Sequence, residues 1–164
     1  MTESTTAFSV LSKTVGAGRR IGICAALWHR ELVDELLRGA RETLISHGVS
    51  DQDIILIDCP GSYELPVAAY RLIHHSRVDA VIALGVVIRG ETAHFEYVSS
   101  PVAHGLMNLS TSTGVPCIFG VLTTDTLEQA RQRCGGIHGH KGCEAAVGAL
   151  QLLSAFDTST TAQS

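Results

Sequence analysis

The chain has 164 residues, 45% hydrophobic and 17% charged, with a formal net charge of −4, which suits one domain with a sizeable core. A mild acidic excess leaves no electrostatic footprint for nucleic acid or an anionic membrane surface, and no apolar run approaches the roughly 20 residues of a membrane span. Residues 1–13 lack a basic-then-apolar leader pattern, so a cytoplasmic protein is expected. The five cysteines are scattered, with no C-x-x-C pair. Cys24 and Cys117 fall inside apolar runs and Cys59 just past one, where a free thiol acts as a small hydrophobe. Neither a disulfide framework nor a cysteine zinc site is expected.

In chain order, residues 1–19 have no clear periodicity and many small polar side chains, so they read as a flexible N-terminal arm. Gly16-Ala17-Gly18 precedes the first strand rather than following it, which excludes a dinucleotide fingerprint. Residues 20–27 form the first expected strand, followed by Trp28-His29. Leu32, Val33, Leu36, Leu37, Ala40, Leu44 and Ile45 then recur at helical spacing, with Gly48 as the stop. Residues 54–57 form a second buried strand ended by Cys59-Pro60-Gly61, and Leu65, Ala68, Ala69 and Leu72 mark a second helix with Pro66 in its first turn. Residues 80–84 are a third strand, small and β-branched enough to be buried on both faces. Val98, Val102, Leu106 and Leu109 mark a third helix that Pro101 could bend. Residues 116–122 are a fourth strand. Asp125 or Thr126 could cap a short helix running to Arg133. A glycine-rich turn over residues 135–139 precedes a last helix carrying Ala145, Ala146, Ala149, Leu150 and Leu153, and residues 158–164 read as a disordered tail.

Alternating strands and helices imply right-handed crossovers and a parallel sheet covered on both faces. The expected fold is therefore a three-layer α/β/α sandwich around a four-stranded parallel sheet, flavodoxin-like, with residues 20–157 as one domain. In such a sheet the C-terminal ends of all strands share one edge, where ligands bind. Polar and aromatic groups gather there: Trp28-His29, residues 61–64, residues 89–94 and residues 119–124. Residues 85–98 stand out. A buried strand breaks into a short loop with Arg89, Glu91, Thr92 and His94, and His94 can move protons near neutral pH. The same residues also fit a surface turn with a capping Thr and a solvated His. Trp28 could stack on a flat ring or pack, and Glu64 could bind hydroxyls or favour a helix N-terminus. Arg133 and Lys141 bracket the glycine turn, as anion contacts or as solvated cations. His138 and His140 lack an evident set of further ligands, so no metal is expected.

Together, residues 61–66, 85–98, 120–126 and 140–142 resemble the lumazine synthase family, and the likeness spans about residues 21–153 with no insertion evident. Members of that family condense 5-amino-6-(D-ribitylamino)uracil with 3,4-dihydroxy-2-butanone 4-phosphate. The products are 6,7-dimethyl-8-ribityllumazine, phosphate and water, in the penultimate step of riboflavin synthesis, without cofactor or metal.

The resemblance implies that Trp28 and Phe119 contact the pyrimidine and that Ser62, Tyr63 and Glu64 hold the uracil substrate and its ribityl chain. Val86, Val87 and Ile88 would read the ring edge. Glu91 and Thr92 would meet the butanone phosphate, with Arg133 as phosphate ligand and Lys141 as a basic residue near the ligand. His94 would transfer protons. The chain departs from the family pattern at His29 and His140, where Asn is common; both are expected to flank the pocket. The resemblance further implies a pentamer with its sites between neighbouring subunits. The uninterrupted turn over residues 135–139 is compatible with the sixty-subunit shells that some members build. Two other readings compete: a non-catalytic flavin-binding or shell-forming paralogue, which predicts a degraded phosphate site, and a flavodoxin-like flavin-phosphate module. The latter requires a hydroxyl- and glycine-rich loop after the first strand, which Leu27-Trp28-His29-Arg30 is not.

Overall fold

Strand β1 (Ile21–Ala26) is buried along its whole length, as a run of Ile, Ala and Cys must be when helices cover both faces. In the computed structural model, which describes residues 11–161, β1 lies at the centre of a parallel sheet of order β2-β1-β3-β4. The other strands are β2 (Ile54–Cys59), β3 (Ala80–Ile88) and β4 (Cys117–Thr124). Ile21 pairs with Ala80 on one side and with Ile54 on the other.

The period-2 alternation of the strands separates two cores. Ile21, Ile23 and Ala25 of β1, with Ile82 and Leu84 of β3, face helices α1 (Arg30–Ser46) and α5 (Lys141–Thr161). Cys24, Val81 and Ala83 face the opposite way, against α2 (Leu65–Ser76) and α3 (His94–Thr113). Gly22 leaves room on that second face, since a Cβ there would lie 3.0 Å from the Leu72 side chain of α2. Leu36, Leu44 and Leu150 are fully buried, each contributing roughly 1.5–3 kcal/mol of transfer free energy. The expected three-layer sandwich is the observed architecture.

Several boundaries differ from the sequence reading, each for a local reason. β2 is an edge strand flanked only by β1, so its middle is open and Leu56 is 38% exposed; the apolar run suggested a fully buried strand. Residues 11–19, expected to belong to a flexible arm, form turns in which Leu11 and Val15 pack against the α1 core and the Gly16 amide donates to the His47 carbonyl at 2.8 Å. Residues 1–10 lie outside the described residues. The tail expected to be disordered from residue 158 continues α5 to Thr161, and residues 162–164 are again outside the description. Helix α3 starts at His94, four residues before the periodic apolar positions begin, and continues through Pro101 to a left-handed Gly114. Thr126, rather than Asp125, caps α4 (Leu127–Arg131): its hydroxyl accepts from the Gln129 amide at 3.2 Å while the Gln129 side chain accepts from the Thr126 amide. The glycine-rich turn is the tip of a small hairpin, β5 (Cys134–Gly136) with β6 (Gly139–His140).

Helices α1 and α5 meet closely at Gly142, where a Cβ would lie 2.0 Å from the Leu36 carbonyl oxygen. Backbone cannot rotate aside, so Gly142→Ala must push α5 away from α1. Urea unfolding should register a loss of about 1–3 kcal/mol or more; an unchanged midpoint would mean that the two helices are not locked at this point.

Candidate active site

Because β1 and β3 are buried on both faces, polar side chains are displaced to the strand ends, and a cleft opens there between the connections after β1 and β2 and the start of α3. It encloses about 770 Å³, the size of a small-molecule site. One wall comes from the β1–α1 connection. Trp28 lines the cleft and is 71% exposed, an indole held at a surface. The connection is anchored by the Leu27 amide, which donates to the Cys59 carbonyl at 2.8 Å. His29 follows with φ 55°, ψ 43°, a left-handed conformation that His and Asn tolerate better than most residues. That requirement explains physically how either residue can stand at this position.

A second wall is the 3-10 turn Ser62–Glu64 after β2. Glu64 accepts a hydrogen bond from the Gly61 amide at 3.0 Å, which folds the turn back on itself. A Cβ at Gly61 would lie 3.2 Å from that carboxylate and 3.4 Å from the Trp28 ring, so glycine lets indole and carboxylate close up. Tyr63 points outward, exposed, and lines the cleft. Ser62 is buried, and among the described residues its hydroxyl has no partner, so a ligand or water would satisfy it. The floor is the end of β3, Val86, Val87 and Ile88.

The last wall is the first turn of α3. His94, exposed, is the first helical residue and lines the cleft, with Tyr97 and Val98 one turn on. Those two, and Pro60, are not among the site residues expected from the sequence. The i, i+3 and i, i+4 spacing from His94 places Tyr97 and Val98 on its face, but only once the helix is known to begin at His94. Before it, Arg89 bridges the carboxylates of Glu96 and Asp125, and the guanidinium holds the Glu96 carboxyl below its usual pKa.

The structure thus brings Trp28, Ser62, Tyr63, Glu64, Val86, Val87, Ile88 and His94 together around one space. Glu91 and Thr92 sit exposed in the turn between β3 and α3, outside the cleft lining, with the Thr92 hydroxyl 3.4 Å from the His94 amide. Phe119, Arg133 and Lys141 are not brought to this cleft within the chain. Phe119 is on edge strand β4, 38% exposed. The Arg133 guanidinium donates to the Gln129 carbonyl at 2.8 Å, and Lys141 pairs with Glu144. His140, expected beside the pocket, turns instead towards α1. Its ring occupies the space a Cβ at Gly39 would fill, its Nδ1 accepts from the Cys143 amide at 3.4 Å, and its buried Nε2 has no partner among the described residues.

β3 and the 3-10 turn approach closely in the cleft: a Cβ at Gly85 would lie 2.5 Å from the Ser62 hydroxyl oxygen. Gly85→Ala should therefore destabilise by about 1–3 kcal/mol, and adding Ser62→Ala should recover most of that loss. Thermal melts of both variants check this; additive losses would show that the clash lies elsewhere.

The sequence profile of the family described as 6,7-dimethyl-8-ribityllumazine synthase matches residues 18–157. The protein of that name from Aquifex aeolicus is 48% identical over 144 residues, covering 88% of this chain and 94% of the relative. The one from Porphyromonas gingivalis is 48% identical over 137 residues, 84% of this chain and 85% of the relative. That of Lactiplantibacillus plantarum is 47% identical over 141 residues, 86% and 89% of the two chains. With a match that runs through every strand and helix carrying the cleft, the chain belongs to the 6,7-dimethyl-8-ribityllumazine synthase family.

Proposed function

We propose that the chain condenses 5-amino-6-(D-ribitylamino)uracil with 3,4-dihydroxy-2-butanone 4-phosphate to give 6,7-dimethyl-8-ribityllumazine in riboflavin biosynthesis, with residues 20–157 as its working domain. The observation that carries this reading is one cleft that unites an exposed indole, a hydroxyl–carboxylate turn, a buried strand end and an imidazole. Each suits a part of the reaction. Trp28 stacks on the pyrimidine, and the Ser62–Glu64 turn holds the ring and the ribityl hydroxyls. The Val86–Ile88 end reads the ring edge through backbone groups.

The 5-amino group attacks the ketone and water leaves, forming an imine. Loss of a proton from the carbon bearing the 3-hydroxyl then expels phosphate, and tautomerisation yields a new ketone. The ribitylamino nitrogen closes the ring on that ketone and a second water departs. His94 moves protons in these steps, a role worth roughly 10²–10⁴-fold when the imidazole is well placed. Holding two substrates in register supplies much of the remaining acceleration.

Within one chain this scheme is incomplete, since the pyrimidine contact Phe119 and the cations Arg133 and Lys141 lie outside the cleft. We propose that a neighbouring copy supplies them in a homo-pentamer, with Glu91 and Thr92 meeting the butanone phosphate. The exposed apolar side chains of edge strands β2 and β4, Leu56 and Phe119, support burial against a second copy. The short hairpin turn is compatible with pentamers joining into a sixty-subunit shell. A cytoplasmic location is supported by five free thiols; among the described residues no helix is long and apolar enough to cross a membrane.

Purified protein given both substrates and no cofactor should form lumazine and release phosphate in equal amounts. A folded oligomer that binds riboflavin yet makes no product would instead support a non-catalytic flavin binder. His94→Ala should lower turnover by roughly 10²-fold or more while assembly persists, and unchanged turnover would remove His94 from the mechanism. Arg133→Ala should chiefly raise KM for the butanone phosphate. Co-assembled His94→Ala and Arg133→Ala subunits provide the test of a shared site: hybrid clefts regain both side chains, restoring roughly a quarter of the activity for random mixing. No recovery would place both residues in one chain's site.

A further inference from the structure

Arg89 has no part in the proposed chemistry, yet it joins three elements beside the cleft. Its backbone amide donates to the Thr124 carbonyl at 2.8 Å, which continues the β3–β4 pairing. Its Nε donates to Asp125 in the β4–α4 connection at 2.9 Å, and Nη1 reaches Glu96 in the first turn of α3. The guanidinium also lies over the Phe95 ring, 4.1 Å from its centroid. Phe95 and Glu96 are the two residues that follow His94.

That turn is weakly capped. Ala93 at the N-cap provides no side-chain hydrogen bond, the Thr92 hydroxyl is 3.4 Å from the His94 amide, and the first buried side chain of α3 is Val102, two turns further on. The opening of a helix leaves backbone donors unsatisfied and frays unless something outside it intervenes. We infer that Arg89 is a positioning residue that fastens the first turn of α3 to the end of the sheet and so fixes the His94 imidazole against the cleft. This rests on the reading of His94 as the proton-transfer residue.

The side chains involved are about half exposed, so these ion pairs add little to global stability. Their effect is on geometry, where a displacement of about 1 Å can cost up to 10²-fold in rate. Lysine is a partial substitute only: it is a single point charge that can serve one carboxylate, without a planar face for Phe95.

Arg89→Met should lower kcat roughly tenfold with KM for both substrates within about twofold of the wild type. Melting temperature and assembly should stay unchanged, Arg89→Lys should fall between, and amide hydrogen exchange over residues 92–100 should quicken. In a His94→Ala background the same substitution should cost less than about twofold, because its effect passes through the imidazole. Unchanged exchange, or a full tenfold loss persisting without His94, would overturn the inference. If Arg89→Met does not fold, Glu96→Leu removes the ion pair to α3 while keeping Asp125 and Phe95, and the same readouts apply in weaker form. Should the wild-type protein make no lumazine, the proposed function fails, while the exchange measurement still decides whether Arg89 holds the turn.

Discussion

The pairing of β1 with β3 at the centre of the sheet is the constraint on which the rest depends. Both strands are covered by helices on both faces, so neither can carry an unpaired polar side chain along its length without a heavy desolvation cost. Chemistry is therefore confined to the strand ends. Parallel pairing puts those ends on one edge, and residues from three connections meet there although as many as 66 positions separate Trp28 from His94 in the chain.

Close backbone approach then decides how tightly the walls meet. Gly61 allows the Glu64 carboxylate and the Trp28 ring to converge, and Gly85 leaves the space taken by the Ser62 hydroxyl. These glycines are not needed for unusual dihedrals; what matters is the missing Cβ. The result is a cleft with an apolar floor and a few polar groups at its rim. Such a site can hold a heteroaromatic ring by stacking and edge contacts while leaving proton transfer to one side chain.

The same arrangement accounts for what the single chain lacks. The cations that suit a phosphate, Arg133 and Lys141, belong to the α4–hairpin–α5 segment, which packs on α1 rather than beside the start of α3. In the proposed pentamer a second subunit closes the open side. Exposed apolar groups on both edge strands are consistent with such closure. Arg89 works at a smaller scale, linking a helix terminus without a side-chain cap to the sheet end that it faces.

The sequence alone determined the order of strands and helices, the parallel sheet and most of the cleft residues, because each was written locally. Short apolar runs, the 3.6-residue spacing of Leu and Ala in α1, and polar clusters after each run are all short-range signals. The motif at residues 85–98 and its companions pointed to the family by the same kind of information. Only the tertiary structure decided that β2 is an open edge, that residues 11–19 pack on α1, and that α3 begins at His94 and so brings Tyr97 and Val98 into the cleft. It alone also separated Arg133 and Lys141 from that cleft and turned His140 into α1. Each of these depends on which element lies beside which, a long-range property set by packing and by the covering of apolar faces, and no local spacing records it.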